Sequence, residues 1–104
     1  MPTLAYRFVD VLVGSEDWTY VNVYLHEYPI IKTTVKGFWI DMFGRKRFVL
    51  SDSRKKFACL TKEDALESFK RRKERQIRLL ESQLSHAKTA LDKAHTMEAK
   101  EVHQ

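Results

Sequence analysis

The chain has 104 residues, which is enough for one domain and short for two, and 43% of them are hydrophobic, which argues against a disordered protein. A single cysteine, Cys59, excludes an internal disulfide, and its apolar neighbours indicate a buried structural thiol. No basic segment leads into an apolar one at the start, and no apolar run approaches the roughly 20 residues that span a bilayer. We therefore expect a cytoplasmic protein with no signal peptide and no membrane partner.

The net charge of +5 is unevenly distributed along the chain. Residues 1–43 carry a net charge of −2, residues 44–75 carry +7, and residues 76–104 are neutral overall. The excess positive charge therefore lies in one segment in the middle. Such a segment attracts phosphate, an acidic protein surface or another anionic ligand, and salt weakens the attraction.

The first sixty residues predict β-strands. Leu4 to Val13 is rich in β-branched and aromatic residues and is followed by turn-forming residues. From Trp18 to His26 two kinds of side chain alternate, as on the two faces of a strand. The small or aliphatic set predicts the core face and consists of Thr19, Val21, Val23 and Leu25. The aromatic and polar set predicts a contact surface, and its contact residues are Trp18, Tyr20 and Tyr24.

Pro29 interrupts this alternation and predicts the end of the second strand. Gly44-Arg45 predicts a hairpin turn. Further strands are expected at residues 30–35, 38–42 and 47–50, and residues 56–59 predict a short strand or an extended piece. Because every connection is short, neighbouring strands should be antiparallel and in meander order.

At Thr61 the hydrophobic period changes from two to 3.6 residues, and the acidic residues that follow indicate that Thr61 is an N-cap. Residues 61–99 contain no proline or glycine and predict one long helix, with 100–104 as a frayed end. The predicted fold class is α+β, a single domain. In it an antiparallel β-meander of four or five strands over residues 1–60 precedes the C-terminal helix, whose first part, with Leu66 and Phe69, packs on the sheet.

The predicted helix carries a heptad seam over residues 77–94, in which apolar positions are spaced alternately three and four residues apart. Its members are Ile77, Leu80, Leu84, Ala87, Leu91 and Ala94. One alternative is a single amphipathic helix that lies on its own sheet. Since the seam is longer than five short strands can cover, we favour a homo-oligomer paired through the helix. Its main contacts are then Ile77, Leu80, Leu84 and Leu91.

No pattern in the sequence predicts catalysis. It contains no phosphate-binding loop, dinucleotide fingerprint, HExxH or GxSxG motif. The four histidines lack metal-ligand spacing, and one cysteine provides no thiolate pair. We therefore expect no enzyme activity, no metal and no cofactor.

The basic middle segment is the strongest candidate for a binding site. Its cations are interleaved with aromatic residues, a combination that holds nucleotides or single strands by charge and by base stacking. The predicted anion-binding residues are Lys36, Arg47, Arg54, Lys55, Lys56, Arg72 and Lys73, with Trp39 as a further aromatic contact. Lys73 falls on the apolar stripe of the helix, where it either extends to the rim or meets an anion.

The middle half of the chain contains five distinctive sequence motifs: KGFWI at 36–40, KRFVL at 46–50, RKKFA at 54–58, TKEDALESF at 61–69 and RKERQI at 72–77. In these motifs the sequence resembles a group of small proteins of tailed bacteriophages and prophages. Val35 stands where other members tend to have proline. The resemblance implies a phage accessory protein that inhibits a host defence or redirects a host enzyme.

Three functions are compatible with these observations. The first is a phage accessory protein that binds nucleic acid or a nucleotide signal of host defence. The second is a protein–protein inhibitor that docks its aromatic face and basic segment on a host protein, because tryptophan, tyrosine and arginine commonly anchor such contacts. The third is a structural coiled-coil oligomer without a ligand.

Overall fold

A computed structural model describes residues 3–102 of the chain. Its elements are β1 (Leu4–Gly14), β2 (Thr19–Thr33), β3 (Gly37–Met42), β4 (Arg45–Leu50) and α1 (Lys62–Val102). The strands form one antiparallel sheet in the order β1-β2-β3-β4, so the predicted α+β meander with a C-terminal helix is confirmed. The helix continues beyond its predicted end at 99, and residues 103–104 of the predicted frayed end lie outside the described residues.

The predicted strand break at Pro29 is wrong, because β2 continues through this residue over a length of 15 residues. Pro29 pairs with Leu4 of β1, and the pairing of β2 with β3 begins only at Ile30. The amide of Ile30 donates to the carbonyl oxygen of Thr3. The amides of successive strand residues point to opposite edges of the strand, so the N–H that Pro29 lacks would point toward β3. At this position β2 is not yet paired with β3, and no hydrogen bond of the ladder is lost.

Residues 56–59, for which the sequence predicts a short strand or an extended piece, form no strand of the sheet, so the sheet has four strands. This segment is irregular and makes one antiparallel bridge, in which Cys59 and Tyr6 exchange backbone hydrogen bonds of 2.7 and 2.8 Å. The bridge fastens the segment after β4 to β1. Cys59 is buried, as the sequence predicts for a structural thiol.

The hydrophobic core lies on the aromatic face of β2 and not on the aliphatic face that the alternation predicts. It contains Ala5, Tyr28, Phe38, Ile40, Val49 and Ala58. Val21 and Val23 of the aliphatic face are 62% and 46% exposed. The prediction fails because residues 19–29 of β2 pair only with β1, so this hairpin arm has no second layer to bury its valines.

The segment after β4 covers the sheet more than the helix does. Phe57 and Ala58 pack on the strand residues of the core, whereas Ala65 is the one buried side chain of α1 in the described part of the chain. Leu66 is exposed, although the sequence predicts that it packs on the sheet. Thr61 caps the helix as predicted, since its hydroxyl accepts a hydrogen bond from the amide of Asp64 at 3.1 Å.

Two hairpin turns use backbone conformations with positive φ. Gly14 ends β1 with a φ of 150°, and a Cβ at this position would collide with the carbonyl oxygen of Trp18. Phe43 and Gly44 join β3 to β4, one position before the predicted turn, with φ values of 53° and 90°. Positive φ at both central residues is the pattern of a type I′ turn, whose twist suits a two-residue hairpin.

The chain divides into two compact units, a sheet unit of residues 1–71 and a helical unit of residues 72–104. In the helical unit the seam residues are between 52% and 57% exposed: Ile77, Leu80, Leu84 and Leu91. Lys73, on the same stripe, donates to the side-chain oxygen of Gln76 at 2.9 Å. The described residues contain no second helix, so the seam has no helical neighbour within this range.

Candidate functional site

The strand register assigns each side chain of the sheet to one of two faces. Residues paired across neighbouring strands point to the same side, and successive residues alternate. We call the face that includes the core the aromatic face. In β1 and β4 its side chains belong to the odd-numbered residues, and in β3 and in β2 up to Ile30 they belong to the even-numbered residues. Trp18, which comes just before β2, lies beside them. The alternate residues form the opposite face.

Charge is divided between these two faces. The acidic residues within the strands all lie on the opposite face, and they are Asp10, Glu27 and Asp41. The aromatic face of the described strands holds arginines and no carboxylate, and its arginines are Arg7, Arg45 and Arg47. An anionic ligand on the aromatic face therefore meets attraction without a competing strand carboxylate.

Aromatic side chains continue along this face toward the β1–β2 turn. The rings of Trp18 and Tyr20 stack with centroids 5.7 Å apart and 7° between their planes, and both side chains are exposed. The side-chain amide of Asn22 donates to the hydroxyl of Tyr24 at 2.9 Å and orients that ring. Exposed rings in a row along one strand offer stacking platforms to successive bases.

Arginine and aromatic side chains meet at the covered end of the aromatic face. The ring of Phe57 lies 5.8 Å from that of Tyr28 and carries two guanidinium groups, with Cζ of Arg7 at 4.3 Å and Cζ of Arg47 at 3.8 Å from its centroid. The two cations therefore lie within about 8 Å of each other, and a bound anion near both would relieve their repulsion.

The two arginines differ in how firmly the chain holds them. Arg7 is half-buried and donates to the carbonyl oxygen of Phe57 at 2.7 Å. Arg47 is exposed, and no carboxylate of the described residues forms an ion pair with it. Arg7 therefore helps to fasten the covering segment, and Arg47 is the cation more readily available to a ligand.

Phe43 extends the aromatic surface from the β3–β4 turn. Its ring is 80% exposed and makes edge contacts with His26 at 5.9 Å and with Tyr28 at 5.8 Å. His26 also hydrogen-bonds the hydroxyl of Tyr28 at 3.1 Å. A φ of 53° costs a residue with a Cβ about 1–2 kcal/mol. The type I′ turn therefore holds Phe43 in a strained conformation, in which its exposed ring adds to the aromatic surface.

A separate open cleft lies on the opposite face near the β2–β3 turn. It has a volume of about 460 Å³ and is lined by Thr34, Val35, Lys36, Trp39 and Phe48. The rings of Trp39 and Phe48 are 5.2 Å apart. This face carries both signs of charge, because Asp41 pairs with Lys46 in the register. The cleft is therefore less suited to an anion than the aromatic face.

The predicted site residues are divided among several parts of the molecule. The aromatic face holds Arg47, Trp18, Tyr20 and Tyr24. The cleft on the opposite face holds Lys36 and Trp39. The segment after β4 holds the exposed Arg54 and Lys55 and the half-buried Lys56. The helical unit holds the half-buried Arg72 and Lys73.

Arg7 and His26 of the aromatic face are not among the site residues that the sequence predicts. Arg7 and His26 are distant along the chain and become neighbours only because β1 and β2 pair in this register. One usable signal exists in β1, where Arg7 occupies the same face as Ala5 and Val9 and interrupts an otherwise apolar row.

Among the side chains that the structure describes, those of residues 3–100, no group of three or more histidine, cysteine or carboxylate side chains is arranged to hold a metal ion. Over the same range, α1 is too polar to cross a membrane. Comparison of the chain with protein-family models, with curated proteins and with solved structures gave no match. The function is therefore inferred from the aromatic face itself.

Proposed function

We propose that this is a non-enzymatic binding protein that holds an anionic ligand, a single-stranded nucleic acid or a nucleotide, on its aromatic face. The observation that carries the proposal is the segregation of the strand charges. Arginines lie on the aromatic face, and every strand carboxylate lies on the opposite face. Exposed rings share the face with the arginines, and these are the two components of a single-strand binding surface.

The two ends of the aromatic face have different parts in this proposal. Arg47 beside Phe57 contacts phosphate, because a guanidinium group forms two parallel hydrogen bonds to a phosphate group. The exposed rings of Trp18, Tyr20 and Tyr24 stack on bases. From Trp18 to Tyr28 the face is about 34 Å long at 3.4 Å per residue, which is room for several nucleotides.

The resemblance to small proteins of tailed bacteriophages supports a biological setting for this binding. In that setting the protein sequesters a nucleic acid or a nucleotide signal on which a host defence depends. Binding then counteracts a host system without any chemical step.

Two neighbouring cations on β4 provide a matched test. Arg47 lies on the aromatic face, and Lys46 lies on the opposite face one residue away. Fluorescence anisotropy with a labelled 12-nucleotide single strand, and competition by ATP, measure binding at several salt concentrations. Arg47→Ala should weaken binding by about fivefold to tenfold and lower the salt slope by about one. Lys46→Ala removes the same charge and should change neither value.

Equal loss in both variants would mean that only net charge matters, and unchanged binding in Arg47→Ala would refute the placement on the aromatic face. Circular dichroism of both variants serves as the control for folding. Competition by ATP indicates a nucleotide ligand. Affinity that rises with strand length indicates a nucleic acid.

A protein ligand is the second candidate, and the exposed aliphatic side chains of the hairpin arm favour it. Leu12, Val21 and Val23 are exposed together on the opposite face. Aliphatic residues grouped in this way are commonly covered in a protein contact. Capture of a host protein that survives nuclease treatment and is abolished by Val21→Asp would support this function.

A further inference from the structure

The helical unit carries an apolar seam along one side of α1. Its four large members are half-exposed, and α1 is the one helix in the described range. An isolated amphipathic helix is marginal in water, because most helical stability in proteins comes from packing of the apolar face. Spacings of alternately three and four residues are those of a helix paired with another helix.

Heptad positions show which side chains meet when two copies pair. Ile77, Leu84 and Leu91 occupy the a positions, and Leu80, Ala87 and Ala94 occupy the d positions. When one helix is reversed, each a position faces a d position of the other. With the centre between residues 85 and 86, the layers are Ile77 with the partner's Ala94, Leu80 with the partner's Leu91, and Leu84 with the partner's Ala87.

These layers have well-matched volumes. Two of the three join a large side chain to alanine, and the pairing of large with small residues across facing positions fills space evenly. A parallel pair would instead place Ala87 against the partner's Ala87 and Ala94 against the partner's Ala94, which leaves two underfilled layers.

The charges beside the seam match in the same antiparallel alignment. Positions e of the two helices face each other, so Glu81 meets the partner's Lys88. At the ends of the seam, Lys73 meets the partner's Glu98. Because the pair is symmetric, each of these contacts occurs twice.

Other alignments oppose like charges. A parallel pair places Lys73 against the partner's Lys73 and Glu98 against the partner's Glu98. An antiparallel pair that slips by one heptad places Glu81 against the partner's Glu81 in one direction and Lys88 against the partner's Lys88 in the other. Repulsion therefore disfavours each alternative and leaves one register.

We propose that two copies of this chain associate through residues 73–98 of α1 as an antiparallel helix pair, in the register that joins Glu81 to the partner's Lys88. The seam over residues 77–94 is about 27 Å long at 1.5 Å per residue. The two-fold axis passes between Ser85 and His86. The Arg72 ends of the two helices lie about 40 Å apart, at opposite ends of the pair.

Charge reversal in the full chain tests the register. Glu81→Lys and Lys88→Glu each set like charges against one another twice, and sedimentation equilibrium should show dimer affinity weakened by about tenfold. The double variant should return to the original affinity, because residues seven apart on one helix do not contact each other and can recover only through a partner. Arg78→Glu, which changes a charge away from the seam, should leave the affinity unchanged.

Cross-linking tests the orientation independently of charge. In a Cys59→Ala background, chains with Ile77→Cys are mixed with chains with Ala94→Cys and oxidised. We expect disulfides between position 77 of one chain and position 94 of the other. A double charge variant that stays as weak as the single variants would overturn the register. Cross-links only between like positions, or a monomer at all concentrations, would overturn the antiparallel pair.

Discussion

The sheet unit and the helical unit differ in how much of their apolar side chains they bury within one chain. The sheet unit buries Tyr28, Ile40 and Val49 under a segment of its own chain. The helical unit buries none of the large apolar side chains of its described seam. The sheet unit therefore has a hydrophobic core within one chain, whereas the seam of the helical unit stays exposed in the single chain, which is why we propose a second copy as its partner. Concentration should change the stability of the helical unit and leave that of the sheet unit nearly constant.

The largest effect is expected from substitution of a leucine in the helical unit, which tests whether its seam binds a second copy. Leu79 and Leu84 are 58% and 55% exposed in the single chain, but only Leu84 lies on the seam. Leu84→Lys should weaken self-association by about 100-fold or more, because it places a lysine in two symmetric layers of the pair. Sedimentation equilibrium and circular dichroism at 222 nm report the loss of the pair and of helix.

Leu79→Lys is the matched control for this variant, and it should change neither measurement. Equal effects of the two substitutions would contradict the seam. Neither variant should alter the near-ultraviolet signal of the aromatic residues, all of which lie in the sheet unit.

A smaller effect is expected in the sheet unit, where substitution of Phe43 should weaken ligand binding with little change in the free energy of unfolding. Phe43→Asn should change the free energy of unfolding by less than about 1 kcal/mol, because relief of the left-handed backbone strain offsets the lost ring contacts with His26 and Tyr28. Urea denaturation measures this change. Binding of the single strand should nevertheless fall several-fold, since an exposed ring is lost from the aromatic face. A loss of stability above about 2 kcal/mol would instead make Phe43 a core residue.

The elements of the fold could be predicted because their signals are local. Thr61 marks the start of the helix by its own capping bond, and the alternation after Trp18 marks a strand. Pro29 was a misleading local signal, because its effect depends on which edge its missing N–H faces. That edge depends on the neighbouring strand and not on the residues beside it.

The core face could not be predicted from alternation alone. Tyr28 and Tyr20 lie on the same face of β2, yet Tyr28 is buried and Tyr20 is exposed. The difference comes from Phe57, which covers only one end of the face and reaches it through a contact with Arg7, 50 residues earlier. The separation of arginines and carboxylates onto different faces could not be predicted either, because it depends on the register of all four strands. The composition of a segment does not give that register.

The two tryptophans test the central claim most directly, because Trp18 lies on the aromatic face and Trp39 on the opposite face. The measurement is a fluorescence titration with a 12-nucleotide oligothymidylate of Trp39→Phe, which retains Trp18, and of Trp18→Phe, which retains Trp39. The account predicts saturable quenching of Trp18 in the first variant and little change of Trp39 in the second. Quenching of Trp39 alone would move the site to the cleft and contradict the account, and the absence of quenching in both would contradict single-strand stacking on this sheet.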